Sequence, residues 1–285
     1  MTATSTDSGA GSAERHEHPR LMVALLATFG ACAALAGLAL LVAPGLVPTL
    51  TPGAGSSEFI QHIAESGGAS LLALAVVALA ALRGRERTGP RSPLLSVLFL
   101  ATFLAAFVDL FAQRGGLADP VRWAAVVANA AWAAGFGYLA TIHSGDVAAR
   151  PGRPDSTSRW ERATVWTFVA FTMLTGTAWI VAPSAFTDAV AGVVGTEATY
   201  AGQARGVVDV AFALLVWSMR HQAGSTTGRA VLGAAVVANV ALSIVGLVAQ
   251  LSELATPSRW IVELLHIGWT VAFAALWLRA RRALR

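Results

Sequence analysis

Seven ionisable side chains stand within otherwise apolar stretches of this chain. They are His62, Glu65, Asp109, Arg205, Asp209, Glu263 and His266. An ionisable group inside a membrane span is costly unless it faces a partner or a water-filled cavity, so each of these residues is a functional candidate by default.

Helical spacing predicts partners for some of these charges. Arg205 and Asp209 are four residues apart, as are Arg259 and Glu263, so the members of each pair lie on one helix face. Such a pair is as compatible with a structural role as with a functional one. The two remaining acids, Asp109 and Glu65, then need separate consideration.

Asp109 precedes a short turn, and Arg122 could reach it from the other side of that turn. Glu65 has no arginine near it in the sequence, and His62 lies one turn away. A carboxyl group without a cationic partner in a low-dielectric site can stay protonated at neutral pH, so Glu65 is a candidate general acid. The alternative is that Glu65 hydrogen-bonds a backbone carbonyl or an arginine of another helix.

Two tryptophans lie deep in apolar segments, three residues beyond other polar candidates. Trp132 follows Asn129, and Trp269 follows His266. Their ring faces could line a cavity and stabilise a cationic intermediate, or could serve core packing alone. Two others are typical of the aromatic belt at a membrane surface, Trp123 and Trp260.

A metal site is a further interpretation of the same residues. His62-x-x-Glu65 and Glu263-x-x-His266 each place an imidazole and a carboxylate on one helix face. Four-helix di-metal sites combine two such pairs with two more carboxylates, which two aspartates could supply here. One pair is in reverse order, however, and we expect no metal and no cofactor.

The composition places these residues in a membrane protein. Of 285 residues, 55% are hydrophobic and 13% charged, which is outside the usual range of soluble domains. A span needs about 20 apolar residues. The sequence predicts eight transmembrane helices, at 21–44, 60–82, 93–113, 121–143, 162–183, 200–219, 229–250 and 258–279.

The basic residues predict an orientation. The chain has no lysine, so all 20 basic residues are arginines. Most of them precede span one or follow spans two, four, six and eight, and none lies in the loops at 45–59 and 184–199. By the positive-inside rule, both termini are predicted to be cytoplasmic in the cell membrane. This distribution argues against nucleic-acid binding, because the arginines lie in separate short turns and do not form one basic face.

The chain contains an internal repeat. Ala112 to Leu139 matches Ala249 to Leu276 without a gap at ten of 28 positions, and Ala24 to Pro44 matches Ala163 to Pro183 at ten of 21. Four spans per copy give both copies the same orientation. The predicted organisation is an all-α bundle of two parallel four-helix repeats: a disordered N-terminus (1–20), the first repeat (21–143), a linker (144–161) and the second repeat (162–285).

Position along the predicted spans converts to depth at about 1.5 Å per residue. Nearly all the polar candidates then fall in the outer half of the bilayer. Three neutral residues extend this layer, Gln113, Ser243 and Gln250. The sequence therefore predicts a cavity with a polar floor that opens toward the outer leaflet.

The second copy resembles an uncharacterised bacterial four-helix membrane family of the DoxX-like kind. The resemblance is carried by Val-Ala-Pro at 181–183, Ala-Arg-Gly at 204–206 and Glu263 in the last span. The first copy has Glu65-Ser-Gly-Gly in place of the arginine-bearing run. The resemblance implies the architecture and no activity.

A second resemblance, in character, is to integral membrane terpene cyclases. These are small, Trp-rich helical bundles with isolated acids, and Asn129-Ala-Ala-Trp132 looks like part of the Asn-x-x-Trp-Glu run of the fungal group. Ala133 stands here in place of that glutamate. The resemblance implies protonation of an alkene or epoxide of a prenylated or polyene lipid, followed by carbocation cyclisation.

The leading functional hypothesis is therefore such a cyclase, with catalytic candidates Glu65, Asp109, Glu263 and His266. The residues predicted to line its ligand site are His62, Asn129, Trp132, Asp209 and Trp269. The alternative is a non-catalytic membrane protein that binds or transports a small lipophilic ligand, and a di-metal oxidoreductase is the third possibility. The expected partners are the lipid bilayer and that ligand, and the chain could form a homo-oligomer.

Overall fold

A computed structural model describes residues 10–44, 58–83, 91–114, 120–142, 159–191, 195–218, 220, 225–252 and 260–282. Within these ranges the chain is all α-helical. The helices are α1 (Ala10–Val42), α2 (Glu58–Arg83), α3 (Arg91–Arg114), α4 (Pro120–Ile142), α5 (Arg159–Val181), α6 (Pro183–Ala191), α7 (Thr196–Ser218), α8 (Thr226–Leu251) and α9 (Trp260–Arg282).

Seven of these helices are long and apolar enough to cross a membrane, namely α1 to α5, α8 and α9. The chain is therefore a multi-pass membrane protein with an all-α bundle. The predicted span at 200–219 does form a helix, α7, but it is not among the seven. Its sequence contains both Arg205 and Asp209, and these charges lower its apolar character.

The helix bounds differ from the prediction at two places. The helix α1 begins at Ala10, within the segment predicted to be disordered, and its apolar part begins at Pro19. Part of the predicted outer loop at 184–199 forms the short helix α6. Pro183 opens α6, as is common at a first helical position, and the Phe186 ring packs on Trp179 with centroids 4.6 Å apart. The predicted linker lies mostly outside the described residues.

The eight long helices form a closed ring in which each contacts the next. The order around the ring is α1, α2, α8, α9, α5, α7, α3, α4 and back to α1. A further contact between α2 and α7 crosses the middle of the ring. Chain neighbours α2 and α3 are thus separated in the ring, and the central helices of the two halves pack against each other.

The outer surface of the ring includes a ladder of aromatic rings along α3. Phe99, Phe103, Phe107 and Phe111 follow one another at intervals of four residues, with successive centroids 4.9 to 6.3 Å apart. All four are exposed. An apolar stripe of this kind suits contact with lipid tails, and it agrees with the assignment of α3 as a membrane span.

Pairs of glycines allow the closest helix contacts. A Cβ atom at Gly68 of α2 would lie 2.8 Å from the Gly37 carbonyl oxygen of α1. Likewise, a Cβ at Gly206 of α7 would lie 2.5 Å from the Gly176 carbonyl oxygen of α5. Small residues at such crossings bring helix backbones together, which is a main source of helix association in membranes.

Replacing these glycines with alanine should therefore destabilise the bundle. We expect Gly68→Ala and Gly206→Ala to cost about 1–3 kcal/mol each, because the obstacle is backbone, which cannot move aside as a side chain can. Thermal unfolding in mild detergent measures this. Gly268→Ala on α9 is the control, since nothing lies within 4 Å of its added Cβ. Equal unfolding temperatures for all three variants would contradict the role of the glycine pairs.

Candidate functional site

The polar candidates lie near one end of the ring, the end at which α1 ends and α2 begins. The arginine distribution predicts this end to be the outer side of the membrane, and we call it the outer end. The side chains converge on the central helices α2 and α7 and on α3, α8 and α9 beside them. Most are buried, including His62, Asp109, Asp209, Glu263 and His266. We call the polar candidates at this end of the ring the polar layer.

Asp109 of α3 is held by donors from two other helices. The Tyr200 hydroxyl of α7 donates to Oδ1 over 2.7 Å, and the Asn129 amide of α4 donates to Oδ2 over 3.0 Å. Arg122 is buried, lies over the Tyr200 ring at 4.8 Å and attracts Asp109 electrostatically. The predicted approach of Arg122 to Asp109 is thus present. These groups hold the Asp109 carboxyl group at the contact between α3, α4 and α7.

Asp209 of α7 joins the two central helices. Its Oδ1 accepts from the Ser70 hydroxyl of α2 over 2.8 Å, and its Oδ2 accepts from Arg205 Nε over 3.3 Å. The predicted Arg205–Asp209 pair is therefore confirmed. Arg205 also lies 5.8 Å from the ring of Trp179 on α5. A buried carboxylate with these partners fastens α7 to α2 at the centre of the ring.

Glu263 of α9 is almost completely buried, at 2% exposure. All three atoms of its carboxyl group occupy the space that a Cβ at Gly246 of α8 would fill. Glycine at position 246 is thus what admits the carboxyl group between the two helices. The predicted partner Arg259 lies outside the described residues.

His266 lies one turn along α9 and contacts α8. Its Nδ1 is 3.0 Å from Asn239 Oδ1. The Asn239 amide nitrogen donates to the Ala235 carbonyl over 2.8 Å, which fixes the amide so that its oxygen faces the ring. His266 therefore donates from Nδ1–H, and the other ring nitrogen, Nε2, is where its proton can be gained or lost.

Glu65 of α2 differs from the acids that are deeply buried. About a quarter of its side chain remains accessible, at 25%, and His62 Nδ1 lies 3.9 Å from its Oε2. Glu65 stands seven residues after the start of α2, which is about 10 Å along the helix axis. The Glu65 carboxyl group is thus accessible within the candidate membrane span that begins at Ile60.

The two deep tryptophans belong to matching aromatic clusters. Trp132 Nε1 donates to Thr28 over 3.2 Å, and the Trp132 ring meets Phe29 edge to face at 5.6 Å. Trp269 Nε1 donates to Thr167 over 3.4 Å, and its ring meets Phe168 at 5.3 Å. These contacts hold α4 to α1 and α9 to α5. They are packing contacts, although the His266 ring also lies 5.7 Å from Trp269.

The neutral residues of the layer have mixed roles. Ser243 donates to the Asn239 carbonyl over 2.8 Å, and Gln113 is buried. Gln250 is the second-last residue of α8 and lies close to the outer end of the ring. Among the residues that the structure describes, no group of three or more His, Cys, Asp or Glu side chains has an arrangement that could hold a metal ion. The di-metal interpretation therefore gains no support from these residues.

Four important residues were missed by the sequence analysis: Ser70, Tyr200, Asn239 and Gly246. The first three are uncharged, so the search for ionisable groups passed over them. Gly246 carried a signal, because the ungapped repeat alignment, continued backward, places it opposite Asp109. A glycine aligned with an aspartate suggests that another side chain fills the space that the aspartate side chain occupies in the first half.

Comparison of the chain with known protein families, curated proteins and solved structures finds no match. Both resemblances drawn from the sequence therefore stay predictions.

Removal of the Tyr200 hydroxyl should destabilise the bundle by about 1–3 kcal/mol, because it leaves a buried carboxylate short of a donor. The test is the thermal unfolding temperature of Tyr200→Phe in detergent. Tyr138→Phe is the matched control, since Tyr138 is about half exposed and stands roughly two and a half helical turns beyond Asn129 on α4. A Tyr200→Phe variant as stable as the control would contradict the assigned contact.

Proposed function

We propose that this protein binds or transports a small lipophilic ligand at the polar layer, with Glu65 as the residue that meets the polar end of the ligand. The observation that carries this proposal is the accessible carboxyl group of Glu65 at about 10 Å depth along α2. An uncompensated acid in contact with lipid tails is costly. A ligand with a hydrogen-bond donor at one end and an apolar body compensates it.

The remaining acids suit a fixed frame around such a site. Asp109 and Asp209 each accept from a hydroxyl group and lie beside an arginine. Neither has to change its hydrogen bonds when a ligand arrives. Preorganised polar groups of this kind favour binding because they need no reordering on contact.

Acid-initiated cyclisation at Glu65 is the second candidate. The observation that favours it is that the titratable side chain beside Glu65 is a histidine at 3.9 Å, whereas Asp109 and Asp209 lie beside arginines. A carboxyl group beside a neutral imidazole can hold the proton that an alkene or epoxide would take up. Trp132 and Trp269 give the cyclase proposal little support, because their rings form the α1–α4 and α5–α9 packing contacts.

Mass spectrometry of organic molecules that co-purify in mild detergent separates these functions. For the binding proposal, Glu65→Gln should retain the same molecule with occupancy lowered roughly tenfold, the cost of one charge-assisted hydrogen bond. For the cyclase, the wild type should yield a cyclic product and the variant its linear isomer of equal mass. Glu161→Gln is the control, because Glu161 pairs with Arg279 at the opposite end of the ring.

Identical ligand occupancy in the wild type and in both variants would overturn the role assigned to Glu65 in either function. A preparation that carries no organic molecule in any variant would overturn the binding proposal as a whole.

We also propose that α7 completes eight crossings, that the two halves are tandem copies, and that both termini are cytoplasmic. Support for the crossing comes from the position of α7, which contacts α2, α3 and α5 and finds partners for Arg205 and Asp209 inside the bundle. The matched clusters around Trp132 and Trp269 support the duplication.

Cysteine labelling in intact cells tests the orientation. In a Cys32→Ala background, which removes the one native cysteine, a membrane-impermeant maleimide should label Ser57→Cys and leave Thr88→Cys unlabelled. These positions lie in loops predicted to be outside and inside. The reverse pattern would contradict the proposed orientation.

A further inference from the structure

The two halves can be aligned at the central helices through their glycine crossings. Gly68 meets Gly37 in the first half, and Gly206 meets Gly176 in the second. The repeat alignment already pairs Gly37 with Gly176, so Gly68 corresponds to Gly206. Counting back along each helix, His62 of α2 then corresponds to Tyr200 of α7. Each stands four residues after the start of its helix.

The repeat alignment supplies the remaining correspondences. The third helices of the two halves, α3 and α8, pair Asp109 with Gly246, and each of these stands five residues before the end of its helix. The fourth helices, α4 and α9, pair Asn129 with His266. The same alignment sets Glu263 of α9 opposite Val126 of α4.

The second half thus lacks an acid where the first half has Asp109, and it gains one on the adjacent helix. The carboxyl group of Glu263 lies in the space beside Gly246, which is the position where the side chain of residue 246 would begin. The helix α8 packs on α2 as α3 packs on α7. A carboxyl group therefore lies at the same place in both halves. It comes from the third helix in the first half and from the fourth helix in the second.

The partners of that carboxyl group differ in a consistent way. Asp109 accepts from Tyr200 of the opposite half and from Asn129 of its own half. The corresponding residues around Glu263 are His62 of the opposite half and His266 of its own half. We propose that Glu263, His62 and His266 form a proton-binding site, the counterpart of the Asp109 cluster. This inference rests on the side chains of the site and does not depend on the proposed ligand.

The chemistry of the two clusters follows from their partners. A tyrosine hydroxyl and an asparagine amide do not change charge near neutral pH, so the partners of Asp109 are fixed donors. Imidazole rings gain or lose a proton between about pH 5 and 8. The Asn239 contact holds His266 Nδ1–H, so the proton exchanges at Nε2 of that ring. The first cluster is then a structural anchor, and the second takes up a proton.

Other charged or titratable groups around the site come from several helices. On α2, Glu65 lies 3.9 Å from His62, and on α7, Arg205 lies opposite Gly67 of α2. The helix α8 contributes the polar groups of Asn239, Ser243 and Gln250. The charged residues of α1 and α5 within the described ranges lie at the other ends of those helices, and Arg259 stands just before α9.

Exchange of the acid between helices tests the shared position. Glu263→Val alone removes the carboxyl group, and Gly246→Asp alone adds a second one in the same space, so both should lower the unfolding temperature. The double variant Gly246→Asp/Glu263→Val reproduces the arrangement of Asp109 and Val126, and we expect it to recover most of the loss. If the double variant loses as much unfolding temperature as the two single variants together, the two carboxyl groups do not share a position and the proposal is overturned.

The pH profile of the unfolding temperature tests proton uptake. The wild type should change unfolding temperature between about pH 5 and 8, and His62→Tyr/His266→Asn, which copies the first cluster, should lose most of that change. His143→Gln is the control for a histidine outside the polar layer. If the double variant does not fold, the conservative Glu263→Gln variant should also flatten the profile. A profile that either variant leaves unchanged would overturn the proposal.

Discussion

The structure depends on one constraint, that polar groups inside a bilayer must find their partners within the protein. Two acids of the polar layer, Asp109 and Asp209, meet it with donors from the protein. Asp109 draws on α4 and α7, and Asp209 draws on α2 and on its own helix. Each such contact fixes both the rotation and the depth of the helices it joins. The polar layer therefore determines how the ring closes at its outer end.

Close backbone contact makes these bonds possible. The glycine pairs bring α1 to α2 and α5 to α7, which leaves α2 and α7 free to turn their polar faces toward the centre and toward the third helix of the opposite half. Hydrogen bonds then link the halves, as between Tyr200 and Asp109. The aromatic clusters around Trp132 and Trp269 close the ring on the side away from this central contact. Packing contacts and polar hydrogen bonds thus form on different helix faces and stabilise the same arrangement.

Much of the architecture could be predicted from the sequence because it follows from local pattern. Apolar runs located the helices, and four-residue spacing identified the Arg205–Asp209 pair. The Tyr200–Asp109 bond could not be predicted, since it joins residues 91 apart and exists only because α7 packs on α3 of the other half. Gly246 could have been recognised by its alignment with Asp109, but only the structure places the Glu263 carboxyl group in the vacant space.

The central claim is that Glu65 is where the polar layer meets a ligand from the membrane. An electron cryo-microscopy map of the full chain in lipid nanodiscs made from its native membrane tests this most directly. The account predicts an elongated non-protein density whose end lies within hydrogen-bonding distance of the Glu65 carboxyl group. A map in which Glu65 packs against protein side chains alone, with no density beside it, would contradict the account.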